Sequence, residues 1–372
     1  MRLESIELTQ YRNYDQLVLD FPKMINLFVG KNAQGKTNLL EALYVLALAK
    51  SPRTTHDKDL IKWHEEYAKI KGRLIKESDS TALEIIVSKK GKKAKVNHLE
   101  KRRLSEYIGT MNAVMFAPED LELVKGGPAL RRRFLDMEIG QIAPIYIYSL
   151  SSYQKVLQQR NALLRTYRQQ PNVALLDILT EKLIVLSADL IKRRIAFIGQ
   201  LNQWAGDIHQ SISQSEEVLK LSYESSVRNV SEGADSSKIV SVYENEYGRT
   251  KQREIERGMT LIGPHRDDIR FTVNDFDVQS FGSQGQQRTA ALSVKLAEIE
   301  LIKHEVGEYP VLLLDDVLSE LDQQRRTHLL AAFKEKVQTF VTTTSLDGLA
   351  PQLIERAALY RISQGKAISV VK

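Results

Sequence analysis

The chain has 372 residues, 42% hydrophobic and 27% charged, enough for about two packed domains and ordinary for a globular protein. It contains no cysteine, which excludes disulfides and thiolate metal centres and suits a reducing compartment. Fifty-three Lys and Arg against 47 Asp and Glu leave a net charge of +6, which permits a polyanionic partner without requiring one.

The first residues, Met1-Arg2-Leu3-Glu4-Ser5-Ile6-Glu7, are charged where a secretory leader needs an apolar run. The apolar stretches Leu39–Ala49 and Val311–Leu314 are too short or too interrupted to cross a bilayer. A cytoplasmic protein with no membrane partner is therefore expected. Residues Leu3–Leu8 and Leu17–Phe21 alternate as short strands, and Met24–Val29 is an apolar run ending in Gly30, as a buried central strand requires. From Thr37 to Lys50, Leu39, Leu40, Leu43, Leu46 and Ala47 recur at helical spacing.

Tyr67–Asn97 reads as antiparallel strands turning at Lys89-Lys90-Gly91-Lys92-Lys93. Tyr146–Trp204 reads as long amphipathic helices, with Leu183, Leu186, Leu190, Phe197, Leu201 and Trp204 on one stripe. Gln210–Glu216 and Ser231–Lys238 have the composition of connections. From Gly258 the pattern returns to α/β, with a helix over Ala290–His304 and strands over Val311–Leu314 and Gln338–Thr342. The expected fold class is α/β, a P-loop ATPase head with an inserted helical lobe. The expected division is 1–140 and 245–372 for the head and 141–244 for the lobe.

Gly30-Lys31-Asn32-Ala33-Gln34-Gly35-Lys36-Thr37 is a complete GxxxxGK[ST] set between a strand and a helix. Glycine lets backbone N–H groups curl around phosphate oxygens, and the helix behind directs its positive end at them. Lys36 is expected to reach the β- and γ-phosphates of ATP, and the Thr37 hydroxyl to ligate Mg²⁺. The apolar strand Val311–Leu314 ends in Asp315-Asp316, the pattern of a Walker B strand, placing Asp315 to hold Mg²⁺ and Asp316 to orient or deprotonate water.

Between these motifs lies Ser283-Gln284-Gly285-Gln286 at a helix start, and after them Ser319-Glu320-Leu321-Asp322. This order resembles the ABC-type ATPase head, with Ser283, Gly285 and Gln286 matching its signature and Ser319–Asp322 its D-loop. The resemblance implies that one subunit's signature caps the γ-phosphate bound by another, hence an ATP-dependent homodimer. Tyr11–Tyr14, Met115–Leu121, Arg131–Asp136, Gly263–Asp268, Gln284–Arg288 and Leu314–Asp322 narrow the resemblance to the bacterial RecF family, over the whole chain.

That resemblance implies a DNA replication and repair function, with binding to single-stranded and linear double-stranded DNA or gap junctions. It further implies RecO and RecR as partners, RecA loading and support of the SOS response. It places Arg12 and Asn13 by the nucleotide base or ribose. Ala33 departs from the glycine of many relatives, and a negative φ is expected there. Asp316 stands where vigorous ABC ATPases carry Glu, so slow turnover is expected. No His follows the Gln338–Thr342 strand; Thr343 or Thr344 occupies that place. The Q-loop ligand near Ala117–Glu119 is unassigned.

Lys92 and Lys93 on the hairpin, Arg102 and Arg103, and Arg131 and Arg132 are candidates for phosphate-backbone contact. Each group reads equally as a solvated charged face. His265 and His304 lack a second metal-type ligand at suitable spacing. Arg266 with Asp267 and Asp268 reads as an internal ion-pair network. A weak DNA-stimulated ATPase leads the functional readings, followed by a non-catalytic ATP-clamped scaffold and then a transporter nucleotide-binding subunit.

Overall fold

Helix α1 (Lys36–Leu48) is apolar around nearly its whole circumference: every residue from Leu39 to Leu48 is buried. Such a helix needs cover on all sides, and two six-stranded sheets supply it. The computed structural model describes residues 1–370 except 78, 215, 231, 232, 234, 321–336, 347, 348 and 350. The described chain divides into two units, Met1–Asp120 with Lys295–Lys372, and Leu121–Val294.

In the first unit one sheet is antiparallel, in the order β2 (Tyr14–Asp20), β1 (Arg2–Tyr11), β4 (Tyr67–Lys76), β5 (Asp79–Ser88), β6 (Gly91–Val96), β7 (Leu99–Glu100). Alternate residues such as Ala68, Ile70 and Leu74 face inward, the period-two pattern expected of a half-buried sheet. The other sheet runs β15 (Lys366–Val370), β14 (Ala357–Ser363), β3 (Ile25–Val29), β13 (Thr339–Thr343), β12 (Val311–Asp315), β8 (Ala113–Phe116). All of its strands are parallel except β15.

The parallel register pairs Leu27 with Val341, Leu314 with Val341 and Leu314 with Phe116. The chain therefore leaves β3, β13, β12 and β8 along one edge, the carboxyl edge where α/β sheets place ligands. Phe21, Phe28, Phe340 and Tyr360 pack against one another, tilted, edge-on or stacked, with ring centroids 4.7–6.3 Å apart.

The second unit contains α2 (Glu122–Lys125), α3 (Pro128–Ile142), α4 (Pro144–Thr166), α5 (Val173–Ile212), α6 (Ser236–Arg257) and α7 (Val278–Phe281). It also holds a three-stranded sheet, β11 (Phe276–Asp277), β10 (Asp268–Val273), β9 (Leu219–Glu224). Helix α8 (Gln284–Val306) starts in this unit and continues into the first, and α9 (Val317–Glu320) follows β12.

Two buried arginines brace the second unit. Arg160 donates to Thr180 Oγ1, Thr260 Oγ1 and Glu254 Oε2 at 2.9, 2.8 and 2.6 Å. Arg194 donates to the Tyr146 hydroxyl, Pro264 O and Asp136 Oδ1 at 2.8, 2.7 and 2.8 Å. Such guanidinium groups tolerate burial because their N–H directions are matched by acceptors.

Three expectations change. The inserted unit is 121–294 rather than 141–244, because α3 and β10 pack with the helices: Arg131 on α3 pairs with Asp268, and β10 pairs with β9. The Ser-rich stretch read as a connection leads into helix α6, whose N-cap Asp235 accepts from Lys238 N at 2.8 Å. The helix expected over 290–304 begins at Gln284. The reading of Arg266-Asp267-Asp268 as an internal network is borne out in part. Asp267 accepts from the Tyr223 hydroxyl and from Ser226 N, and Asp268 from Arg131, but Arg266 is exposed.

His265 is neutral within this network: its Nδ1 lies 2.6 Å from the Tyr153 hydroxyl, and burial pushes its pKa down to about 4. The folded pKa lies below the unfolded value near 6.5, so between these limits the unfolded chain binds more protons. Stability from this residue is present above pH 6.5 and is lost as pH falls toward 4. Urea titrations between pH 7 and 4 are expected to show that slope, and His265→Gln to flatten it.

Candidate nucleotide site

The loop 30–35 joins β3 to α1, and its curvature is forced from several sides. Gly30 N–H donates to Thr343 O at 3.2 Å, tying the loop to the neighbouring strand end. Gly35 has φ 113°, and a Cβ there would lie 2.6 Å from Asn13 Nδ2 and 2.9 Å from the Tyr14 hydroxyl. Only glycine fits such a position. Ala33 corrects the sequence-based expectation: its φ is +62°, in the left-handed region. Reversal of the chain between strand and helix outweighs the roughly 1–2 kcal/mol that a Cβ costs there.

Lys36 Nζ donates to Gly30 O at 2.5 Å and Lys31 O at 3.0 Å, which curls its side chain back over the loop. Burial lowers its pKa, and the charges of Asp316 and Asp315 oppose that. Lys31, Asn32 and Ala33 are exposed on the outer curve, and Gln34 is half-buried.

Thr37 and Asp315 meet. The Thr37 hydroxyl donates to Asp315 Oδ1 at 3.0 Å, and the Thr342 hydroxyl donates to the same oxygen at 2.7 Å. Thr342 Oγ1 also accepts from Asp316 N at 2.9 Å, so one buried hydroxyl fixes both residues of the Walker B pair. Asp316 has φ 54°, which turns the chain sharply after Asp315. Burial raises the Asp315 pKa; the Thr342 and Thr37 hydroxyls pull it down, Glu119 pushes it up and Arg53 lowers it. Of the unassigned Ala117–Glu119 segment, Glu119 is the residue whose charge reaches this carboxylate.

A second layer braces the loop. Asn13 Nδ2 donates to Gln34 O at 3.2 Å, and Asn13 Oδ1 accepts from Asn38 Nδ2 at 2.9 Å. Gly365 N and Gln364 N donate to Gln34 O and Oε1 at 3.2 and 2.8 Å. Arg12, at φ 52°, grips the buried Glu41 of α1 with two bonds of 2.8 and 2.7 Å. The Ser51 hydroxyl adds a third at 2.6 Å and caps the turn that carries Arg53. Burial pushes the Glu41 carboxyl up, but the bonds from Arg12 and Ser51 outweigh it and leave its pKa low.

The signature lies in the second unit. Ser283 Oγ accepts from Gln286 N at 3.2 Å and Gln286 Oε1 accepts from Ser283 N at 2.9 Å, a reciprocal capping box opening α8. Ser283 is exposed and Gly285 half-buried. Leu321 and Asp322 of the expected D-loop, and the side chains of Ser319 and Glu320, lie outside the described residues.

Of the basic candidates, Lys92 is engaged internally, donating to Ala49 O and Asp57 Oδ1 at 2.5 and 2.8 Å. Arg131 is buried and clamps Asp268, and Arg132 donates to Asp267 O at 2.8 Å. Lys93 is exposed beside Glu100, and Arg102 and Arg103 are exposed. Sequence reasoning passed over Glu41, Ser51 and Arg53, and it placed Glu119 in an unassigned segment and Thr342 in a strand without giving either a role. A Glu inside an apolar helix, at Glu41, was the one visible signal.

A family model described as the RecF/RecN/SMC N terminal domain matches residues 2–366. The protein named DNA replication and repair protein RecF of Geobacillus thermodenitrificans is 60% identical over 367 residues, covering 98% of each chain. Its namesake in Bacillus subtilis is 52% identical over 370 residues, covering 99% of this chain and all of that one. The chain belongs to the RecF family. A solved structure described as the recombination mediator protein RecF-ATPrS in the RecFOR pathway superimposes with TM-score 0.92. That RecF is 34% identical, with 100% of this chain and 98% of that one covered. An archaeal Smc head from Pyrococcus furiosus shares the fold at TM-score 0.52 and 15% identity. RecF membership confirms the expected ATPase-head fold and removes the transporter-subunit reading.

Thr342→Val keeps the shape and deletes the hydroxyl, leaving Asp316 N–H without its acceptor and Asp315 with one donor fewer. Unfolding free energy in urea is expected to drop by about 1–3 kcal/mol. Thr343→Val, losing only a bond to Ser345 O, is expected to change it less.

Proposed function

We propose that this chain is an ATP-dependent DNA-binding protein of replication and recombinational repair. Two copies close over ATP, and slow hydrolysis releases them. The observation that carries the reading is the Thr37–Asp315 contact beside Lys36, which joins the phosphate loop to the Walker B strand. Relatives named for DNA replication and repair and an ATP-complexed RecF structure support it.

In this reading, N–H groups of residues 31–37 and the Lys36 ammonium receive the triphosphate. Arg12 and Asn13, on the turn against the loop, stand toward the nucleoside. The Thr37 hydroxyl and Asp315 carboxylate are hard oxygen donors held side by side, which suits Mg²⁺. These two residues would hold the ion, which supplies charge neutralisation on the phosphates when bound. Asp316 orients the attacking water and accepts its proton. Being shorter than Glu it reaches less far, which fits a weak, DNA-stimulated ATPase that works as a switch.

Ser283, Gly285 and Gln286 of one copy complete the γ-phosphate site of the other. The DNA partners are single-stranded and linear double-stranded DNA and gap junctions. The protein partners are RecO and RecR, with which the dimer helps RecA load and supports the SOS response. Localisation is cytoplasmic; among the described residues no helix is long and apolar enough to cross a membrane. A scaffold reading, in which ATP merely joins the copies, differs in whether turnover matters.

Two variants separate these readings. Lys36→Met is expected to lose ATP binding and ATP-driven assembly together. Asp316→Asn is expected to keep both, with turnover falling about a hundredfold or more. Sedimentation and ATP turnover, with and without a gapped duplex, check this. A monomer under every condition, or turnover indifferent to DNA, rejects the paired switch. Full DNA-loading activity in Asp316→Asn selects the scaffold.

A further inference from the structure

Behind the signature loop runs a chain of polar contacts that neither phosphate binding nor catalysis explains. Gln286 Nε2 donates to Glu217 Oε1 at 2.9 Å. The other oxygen of the same carboxylate, Oε2, lies 3.1 Å from His209 Nε2. His209 is fully buried in the last turn of α5, and its Nδ1 is 3.2 Å from the buried Ser293 hydroxyl of α8. The segment just after Glu217 is fixed on both sides: Val218 N donates to Asn274 Oδ1 at 2.9 Å and Asn274 N to Val218 O at 3.0 Å.

The direction of each bond follows from the carboxylate. Glu217 can only accept, so His209 presents Nε2–H and Gln286 presents its amide nitrogen. The Gln286 amide is thereby prevented from flipping, and its Oε1 must face Ser283 N–H, as observed at 2.9 Å. Gln286 N–H in turn donates into Ser283 Oγ, so that oxygen is used as an acceptor from within the loop. The Ser283 hydroxyl hydrogen then points outward as a donor, the polarity an anion requires.

We infer that Glu217, held by His209, is a positioning residue that sets the signature loop so that Ser283 donates to the γ-phosphate carried by a second copy of this chain. The inference rests on the paired-site reading above and adds two residues to it. With the carboxylate removed, the Gln286 amide rotates freely, and the cap on α8 keeps only its backbone half. The first turn of the helix still forms, but Ser283 N–H loses its fixed acceptor, so the residue that carries the hydroxyl is held from one side only. Preorganisation of this kind lowers what the second copy must order on binding.

The test uses the full chain. Glu217 is 22% exposed, so Glu217→Ala is expected to fold, whereas His209→Ala would open a buried hole. Single-chain ATP affinity is expected to stay within about twofold, because the phosphate loop belongs to the other unit. ATP-driven dimerisation measured by sedimentation is expected to weaken about tenfold, the scale of one charge-assisted hydrogen bond. In a Gln286→Ala background the same substitution is expected to cost nothing further, since its effect travels through that amide.

Equal dimerisation of the parent and Glu217→Ala overturns the assignment while the paired reading stands. So does a full tenfold cost of Glu217→Ala in the Gln286→Ala background, which would assign Glu217 a separate structural role. A parent chain that does not assemble with ATP overturns both.

Discussion

Asp315 Oδ1 accepts two hydroxyl hydrogens, one from the helix that follows the phosphate loop and one from the strand beside Walker B. That shared oxygen is where the parallel sheet, the loop and the turn at Asp316 are brought into register. A slip of one residue between β12 and β13 would turn Thr342 away and put its neighbour in its place. The carboxylate is almost wholly desolvated, so its charge is tolerated because hydroxyls are aimed at it. The left-handed turn at Asp316 follows from the same constraint, since its N–H must reach back to Thr342.

Glu41 has the corresponding role a helical turn farther along α1. A carboxylate inside an otherwise apolar helix is costly unless its lone pairs are filled, and Arg12 and Ser51 fill them. The result couples three separate segments: the turn between β1 and β2, the phosphate-loop helix and the 51–54 turn. Arg12, Ala33, Asp316 and Gln364 all have positive φ, and all belong to segments that touch or form the site. Strain gathers where several chains must meet a small space from different sides, and the surrounding bonds hold it there.

The head fold was legible because its evidence is periodic: alternation in β4, apolar runs in β3 and β12, and glycines where a phosphate loop needs them. Thr37, Lys36 and Asp315 were legible because their chemistry is tied to fixed spacing. The helical unit's limits were not. Arg131 and Asp136 look like surface charges in sequence, and only the tertiary pairs Arg131–Asp268 and Arg194–Asp136 show that α3 and β10 belong to it. Helix α6 was hidden for a related reason. Its buried face is Ile239, Tyr243, Tyr247, Thr250 and Glu254, polar enough to escape an apolar-stripe search. Ala33 was misread as keeping a negative φ because its φ is dictated by loop closure and not by its own preference.

The same distinction governs the basic residues. A count of Lys and Arg treats all as available to a phosphate backbone, but a buried bidentate pair such as Arg131–Asp268 would have to be broken first. Breaking it costs about 3–5 kcal/mol, more than one backbone phosphate returns. Lys92 is similarly committed to Ala49 and Asp57. Exposed pairs behave differently: the Lys93–Glu100 contact is worth at most about 1 kcal/mol and exchanges readily with a stronger anion. Lys89 and Lys90 at the hairpin turn, with Lys93 and Arg102, are therefore exposed members of these runs, whose charge costs least to turn toward an outside anion. Net charge alone overstates the electrostatic footprint, because a share of it is already committed to holding the fold.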